Sequence, residues 1–248
     1  MFDRGLAESR ARAQAMILAG QVLVDEQRVD KPGRMIDPAS EIRIKGEKLR
    51  YVGRGGLKLE AALREFKIDP AGKNCLDVGA STGGFTDCLL QHGARRVWAL
   101  DVGHNQIAWR LRQDPRVVVM EGVNARALAA DMFPVVFDLA TIDVSFISLS
   151  KVLPSVKECM SPEAECIALV KPQFEVGKGE VGRGGIVTDP VKHDRVLREV
   201  AKAAGQMGFV VIDVIESPIL GTEGNREFLM HLRLVGADAA RDDAEGFD

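Results

Sequence analysis

Residues 74–84, Asn-Cys-Leu-Asp-Val-Gly-Ala-Ser-Thr-Gly-Gly, decide how this chain is expected to fold. An apolar run ends there in an aspartate and a glycine-rich turn, and residues 84–92 then have the pattern of a helix. Glycine permits a tight turn and lets the backbone approach a ligand, and the N-terminus of the next helix attracts polar groups. The stretch therefore predicts the first strand, turn and helix of an α/β sheet, with a ligand at the turn.

The same alternation of strands and helices continues along the chain. Helices are predicted over 57–66 and near 84–92, 105–112, 148–160 and 190–207. Further strands are predicted over 96–102, 116–122, 137–143, 165–171, 208–217 and 227–234. Continuous apolar strands that alternate with helices are typical of a mostly parallel sheet covered on both faces. We therefore expect an α/β, Rossmann-like domain with a seven-stranded sheet, whose ligands bind at the carboxyl ends of the strands.

A smaller module precedes this domain. Residues 5–19 have the pattern of a helix with Ser9 as its N-cap, and alternating stretches around 21–29 and 41–46 predict short strands, so the module is α+β. The basic, glycine-rich stretch 48–56 resembles a linker. We expect four segments: a small domain at 1–47, a linker at 48–57, the large domain at 58–236, and an acidic, disordered tail at 237–248.

Composition and charge narrow the class of protein. The 248 residues are 46% hydrophobic and 28% charged, which suits a globular protein with a sizeable core. No apolar run approaches the ~20 residues of a membrane span, and the first residues do not form an apolar leader, so we expect a cytoplasmic protein with reduced cysteines. Residues 1–58 carry a net charge of +4 and the remainder −7. Either residues 1–58 contact a polyanion, or their modest excess of positive charge arises by chance.

The glycine turn and the acids near it indicate a nucleoside ligand. Ser81 stands where a dinucleotide-binding turn has its second glycine, which weakens a pyrophosphate site. Asp101 follows Gly79 by 22 residues, and a carboxylate there can accept hydrogen bonds from a ribose diol. Asn124 follows the next strand and can contact an adenine edge. A site for S-adenosylmethionine explains this set of residues better than a purely structural turn would. The expected contacts are Asp77, Gly79, Ala80, Ser81, Thr82, Gly83, Gly84, Phe85, Asp101, Val102, Asn124 and Asp143.

Charged residues at the remaining strand ends indicate a catalytic cluster. Asp143 and Lys171 interrupt apolar runs, where a charge is costly unless it is paired or functional. Glu227 begins the last strand, and Lys58 precedes the first. Two lysines and two carboxylates at one rim can pair, and a lysine tuned by its neighbours can remove a hydroxyl proton. No cysteine or histidine spacing suggests a metal site.

Several long motifs are similar to one family. LDVGASTGGFTDCLL, DPRVVVMEGVNAR, DVSFISL and LVKPQFEVGKGEVGRGG closely resemble the TlyA family of rRNA 2′-O-methyltransferases, and the catalytic half is similar to the FtsJ-type fold. GLAESRARAQAMILAGQVLVDEQRVDKPG resembles an S4 RNA-binding domain. Members of the family usually have residues ahead of the position of Met1 that begin the first helix of this module, so we expect a module that is short at its N-terminus, with that helix either shortened or missing.

The resemblance implies a function and a set of residues. It implies methylation of cytidine 2′-hydroxyls in 16S or 23S rRNA, with S-adenosylmethionine as the donor and ribosomal subunits as partners, without a membrane or an obligate protein partner. The family's Lys-Asp-Lys-Glu tetrad corresponds to Lys58, Asp143, Lys171 and Glu227. The positions expected to touch RNA are Arg10, Lys31 and Arg54, with Phe146 stacking on the target base or, alternatively, lying in the core.

Three other functions compete with this one. Some relatives carry a haemolysin label, but the sequence has neither a spanning segment nor a strongly amphipathic basic helix. A non-catalytic RNA-binding or ribosome-assembly factor would not need all four tetrad residues. A methyltransferase for small molecules would not need the basic module.

Overall fold

The computed structural model describes two compact units, Met1–Arg50 and Tyr51–Asp248. The described residues are 1–4, 6–7, 9–45, 50–177, 179–221 and 224–235. The predicted acidic tail at 237–248 lies outside them.

The first unit is a small α+β segment, as the sequence predicts. Helix α1 (Arg10–Leu18) is followed by strands β1 (Val22–Val24), β2 (Gln27–Val29) and β3 (Ile42–Ile44), which form an antiparallel sheet in the order β2-β1-β3. The helix begins later than residue 5, the predicted start. Ser9 is the N-cap, as the sequence predicts: its backbone is extended, and its hydroxyl accepts the Arg12 N–H at 3.1 Å, which satisfies one free donor of the first turn.

The second unit contains a seven-stranded, mostly parallel sheet, which confirms the predicted fold class. Its strands run in the order β6-β5-β4-β7-β8-β10-β9. β10 is antiparallel to both of its neighbours, and β4 to β8 are parallel to one another. The strands are β4 (Asn74–Val78), β5 (Arg96–Asp101), β6 (Val117–Glu121), β7 (Phe137–Ile142), β8 (Met160–Val170), β9 (Phe209–Glu216) and β10 (Phe228–Leu234).

Helices cover this sheet. They are α2 (Gly55–Phe66), α3 (Gly84–Gln91), α4 (Trp109–Arg112), α5 (Leu153–Lys157), α6 (Pro172–Glu175) and α7 (Pro190–Gln206). The predicted helices at 105–112 and 148–160 are shorter than expected. Pro154 lacks an N–H and is accommodated in the first turn, so a 3₁₀ turn precedes α5. The chain enters β8 at residue 160.

The two faces of the sheet pack into separate cores. Successive side chains of a strand point to opposite faces of the sheet. Leu76 and Val78 of β4 therefore belong to one core, and Cys75 of the same strand belongs to the other. The four cysteines are buried and unpaired, as predicted. Among the described residues, no helix has both the length and the apolar character that crossing a membrane requires.

Strand direction brings distant residues to one edge. The parallel strands β4, β5, β7 and β8 all end there, so the residues that follow them share that edge. β10 runs the other way and begins there, with Phe228 opposite Val170. Glu227 and Lys171, each one residue beyond this pair, therefore lie at the same edge.

Candidate active site

The glycine turn after β4 has a backbone that other residues would strain. Gly79 has a φ of 87° and Gly83 a φ of 95°, in the region that favours glycine. The N–H groups of Gly79 and Ala80 donate to the Leu100 carbonyl at 2.8 and 3.0 Å. A Cβ at Gly79 would lie 2.3 Å from the Asp143 carbonyl oxygen, so the turn can approach β7 this closely only with glycine at this position.

Asp77, one of the predicted cofactor contacts, is fully buried next to this turn. Its two carboxylate oxygens accept the hydroxyls of Thr86 and Thr141, at 2.6 and 2.9 Å. Burial raises its pKa from the usual 3.8 to about 6, and the two hydroxyls act in the opposite direction. The sequence marks the end of the strand but does not show that the Asp77 side chain points into the protein interior.

Asp101 closes the turn from the neighbouring strand. One oxygen accepts the Ser81 N–H at 2.8 Å, and the other accepts the Gly103 N–H at 2.7 Å. Each carboxylate oxygen can accept a second hydrogen bond, so two acceptor positions remain for a diol. The backbone thus fixes the carboxylate in position before any ligand arrives.

A cavity of about 470 Å³ lies beside these residues. Its lining includes Gly79, Ser81, Asp101, Val102, Asn124 and Asp143, six of the twelve predicted cofactor contacts. A smaller recess of about 120 Å³ adjoins the turn and includes Ala80, Thr82, Gly84 and Phe85. The Gly83 position packs instead against the Leu111 side chain.

The polar and apolar groups of the larger cavity suit a nucleoside. Leu100, Val102 and Val123 supply apolar wall, and Asp101 supplies acceptors. The side-chain oxygen Oδ1 of Asn124 accepts the Arg126 backbone N–H at 3.0 Å, which leaves the side-chain amide nitrogen as a donor for a ring nitrogen.

Lys171 and Asp143 form one ion pair of the predicted tetrad. Nζ of Lys171 lies 2.6 Å from Asp143 Oδ1 and donates to the Ser145 hydroxyl at 3.0 Å. Their side chains are 11% and 22% exposed, so both are shielded but reachable from solvent. Asp143 also lines the cavity, which places the pair at its rim.

Lys58 and Glu227 form the second pair of the tetrad. Nζ of Lys58 donates to Glu227 Oε2 at 2.5 Å, and the side chains are only 10% and 3% exposed. A Cβ at Gly221 would lie 2.0 Å from Glu227 Oε1, so the loop before β10 covers the carboxylate closely. The sequence predicts one cluster of four charges, and the structure arranges these charges as two pairs.

The predicted RNA contacts have different environments. Phe146 is 90% exposed and so does not belong to the core, the alternative left open by the sequence. Its φ of 64° is rare for a bulky residue, and its ring lies 4.9 Å from that of Phe174. Arg54 donates to the Leu220 carbonyl at 2.9 Å and is half-buried. Arg10 and Lys31, in the first unit, are exposed.

Sequence reasoning missed several residues at this edge, namely Ser145, Phe174, Glu175 and Gly221. Ser145 lies two residues after Asp143, and Phe174 and Glu175 lie three and four residues after Lys171, so all three belong to the motifs that resemble the family. Proximity in the chain was their only signal. In the described part of the chain, no group of three or more His, Cys, Asp or Glu side chains could hold a metal ion.

Comparison with known proteins identifies two matching family models. The model of the FtsJ-like methyltransferases matches residues 51–234, and that of the S4 domain matches residues 1–42.

Individual proteins are also similar over nearly the whole chain. The Bacillus subtilis protein YqxC is 51% identical, over 95% of this chain and 84% of its own. The 16S/23S rRNA (cytidine-2′-O)-methyltransferase TlyA of Mycobacterium tuberculosis is 47% identical, over 94% of this chain and 87% of its own. A solved structure from Streptococcus thermophilus, of a protein with a hemolysin label, has a TM-score of 0.78 at 46% identity, covering 94% of this chain and 86% of that one.

Proposed function

This chain belongs to the FtsJ-like methyltransferase family and is an rRNA 2′-O-methyltransferase of the TlyA type, and we propose that it uses S-adenosylmethionine to methylate cytidine riboses of 16S or 23S rRNA through the two ion pairs described above. The observation that carries the proposal is the Lys171–Asp143 pair at the rim of a nucleoside-sized cavity. The proposed proton acceptor, Lys171, would thus lie next to the site proposed for the methyl donor.

The cavity residues fit the donor molecule. Asp101 would accept the ribose hydroxyls, Asn124 would donate to the adenine ring, and the glycine turn would lie against the amino-acid portion. When bound, S-adenosylmethionine supplies a methyl group on a positively charged sulfur, the electrophile of the reaction.

Lys171 is proposed as the group that takes the proton from the ribose 2′-hydroxyl. Its stem follows the buried strand β8, so the sheet fixes its position, and Asp143 and Ser145 orient the amine. Lys171 must first lose to solvent the proton that it carries in its ion pair with Asp143. Its lone pair would then accept the hydroxyl proton, while the hydroxyl oxygen bonds to the methyl group and the bond between that group and sulfur breaks. Positioning of the two reactants contributes further to the rate.

Lys58 and Glu227 have a supporting role in this proposal. They are paired and nearly inaccessible, so they act as a fixed, charge-balanced support beneath the edge that carries Lys171.

RNA contacts are proposed on both units. Phe146 is exposed, held by Phe174, and suited to stack on an unpaired base. Arg10, Lys31 and Arg54 would contact phosphates, which position a substrate without determining its sequence. A ribosomal substrate implies that the protein works in the cytoplasm.

Methyl transfer onto ribosomal subunits tests the function directly. Purified protein is incubated with labelled S-adenosylmethionine and subunits that lack the modification, and 2′-O-methyl positions are then mapped. We expect label at discrete cytidine riboses with the wild-type chain, and incorporation about 10²–10⁴-fold slower with Lys171→Ala. Tight binding of subunits by wild-type protein without any transfer would instead identify a non-catalytic assembly factor.

A further inference from the structure

Glu175 connects two loops of the active site. It ends α6, four residues after Lys171, and its side chain reaches across to the loop that follows β7. Oε2 accepts the hydroxyl of Ser148 at 2.6 Å, and Oε1 accepts the N–H of Leu149 at 2.8 Å. The carboxylate thus uses both oxygens to hold one short segment.

The two loops carry the reacting and contacting groups. The loop after β7 contains Asp143, Ser145 and Phe146, and Ser148 is its last residue before a 3₁₀ turn. The segment after β8 contains Lys171 and Phe174. Direct contacts already cross between them, from Lys171 to Asp143 and Ser145 and from Phe174 to Phe146. The hydrogen bonds of Glu175 add a further connection between the same two segments.

From this arrangement we propose that Glu175 is a positioning residue, which holds the loop of Asp143 and Phe146 against the segment of Lys171 and Phe174. The inference rests on the function proposed above for those four residues. Glu175 acts through its neighbours, since its own oxygens are occupied by Ser148 and Leu149.

The hydrogen bonds around Ser148 require an acceptor at position 175. The Ser148 hydroxyl has one proton, which it gives to Glu175, and its oxygen can accept from the hydroxyl and the N–H of Ser150, at 2.8 and 3.2 Å. Every group in this chain of hydrogen bonds is then satisfied. Burial raises the pKa of Glu175, whereas Ser148 and Leu149 lower it, which indicates a shielded carboxylate held by specific donors.

The backbone conformation of Phe146 is one that the rest of the loop has to stabilise. Its positive φ costs free energy that the surrounding structure must offset. Without Glu175, the loop could relax to an ordinary backbone conformation, and the ring would leave Phe174. The Lys171–Asp143 distance would become less well defined in the same step, because Asp143 begins that loop.

The test compares Glu175→Ala, Glu175→Gln and Ser148→Ala with the wild type. The control is Glu65→Ala, which removes an exposed carboxylate of α2 that pairs only locally with Arg64. We measure kcat and KM on ribosomal subunits, the Kd for S-adenosylmethionine by calorimetry, and hydrogen exchange of the amides at 145–147. The milder Ser148→Ala keeps the bond to Leu149, so it serves where Glu175→Ala folds poorly.

Glu175→Ala should lower kcat by on the order of 10²-fold, as small misplacements of reacting groups do, and raise the Kd for the cofactor by a smaller factor, because the loosened loop lines one wall of the cavity whereas Asp101 is untouched. Exchange at 145–147 should become faster. Glu175→Gln should recover only part of the loss, because its carbonyl can accept from Leu149 whereas its amide group is a donor facing a Ser148 hydroxyl that needs an acceptor. Phe146→Ala should cost less in the Glu175→Ala background than alone, since coupled residues are not additive.

Unchanged exchange at 145–147 in Glu175→Ala would overturn the proposal, and so would a wild-type kcat in that variant. Exchange needs no RNA. If the wild-type chain proves unable to methylate rRNA, the proposed function fails, and the exchange comparison still decides whether Glu175 holds the loop.

Discussion

Lys58 donates to Glu227 across 2.5 Å, although 169 residues separate the two in the chain. The first lies in α2, ahead of the sheet, and the second directly precedes β10. Because β10 runs against its neighbours, its beginning arrives at the edge where the parallel strands end. One antiparallel strand therefore completes the tetrad.

Removing one member of this pair should destabilise the fold. Lys58→Met or Glu227→Leu alone leaves a buried, unpartnered charge, at a cost of about 3–5 kcal/mol in the free energy of unfolding. The double variant should regain most of that stability while methylation stays low. Urea unfolding of the four proteins checks this, and a double variant no more stable than either single one would show that packing, not charge pairing, dominates.

Substitution of Lys171 separates a base from a positive charge. Lys171→Ala should lose about 10²–10⁴-fold in turnover, the usual contribution of general-base catalysis. Lys171→Arg should fail almost as badly, because a guanidinium keeps its proton. Cofactor binding should survive in both variants, since the residues around Asp101 are unchanged. An arginine variant with near wild-type turnover would limit Lys171 to electrostatic stabilisation.

Asp101→Ala should weaken binding of S-adenosylmethionine by ~1.5–3 kcal/mol, the usual contribution of a hydrogen bond to a charged group. The matched control is Asp69→Ala. Asp69 accepts the N–H two residues ahead at 2.9 Å, as Asp101 does from Gly103, but it lies outside the cavity lining. Calorimetry on both variants distinguishes ligand contact from support of a turn. Equal losses in the two would remove Asp101 from the binding site.

Asp77 should make stability depend on pH. Its pKa is about 6 in the folded protein, against a usual 3.8, so the native state holds the proton more strongly between these values. Its contribution to the free energy of unfolding is therefore largest below pH 4, decreases as pH rises to 6, and is constant above.

Comparison with Asp77→Asn isolates the contribution of the Asp77 carboxyl group to the free energy of unfolding. The unfolding free energy of the wild type minus that of the variant should fall by on the order of 3 kcal/mol between pH 4 and 7. Denaturant unfolding at several pH values measures it. A difference that does not change with pH would mean that Asp77 titrates normally.

The exposed basic residues of the first unit should set the salt dependence of RNA binding. Neutralising Arg10 or Lys31 should each lower the slope of log K against log salt by roughly 0.7–0.9, one phosphate contact. Arg54 is held by Leu220, so its loss should also affect that loop. Arg64→Ala, an exposed cation of the second unit, is the control. An unchanged slope in the Arg10 and Lys31 variants would place the electrostatic contacts elsewhere.

Local patterns allowed most of the fold to be predicted. Apolar runs located all seven strands of the large sheet within a few residues, since a buried strand needs continuous apolar side chains. Helix ends were less predictable: Pro154 and Ser9 shortened helices that periodicity alone would extend. Phe146 was ambiguous for a related reason, because an aromatic side chain suits a core as well as a binding surface.

The sequence by itself determined the glycine turn, the order of the strands along the chain, the presence of Asp143, Lys171 and Glu227 at strand ends, and that of Lys58 on the helix ahead of the first strand, because these depend on neighbouring residues. Only the tertiary structure decided which charges pair, that Asp77 faces inward, and that Glu175 reaches Ser148. Those contacts depend on the order and direction of strands in the sheet. Residues far apart in the chain meet there, and no local pattern records which of them become partners.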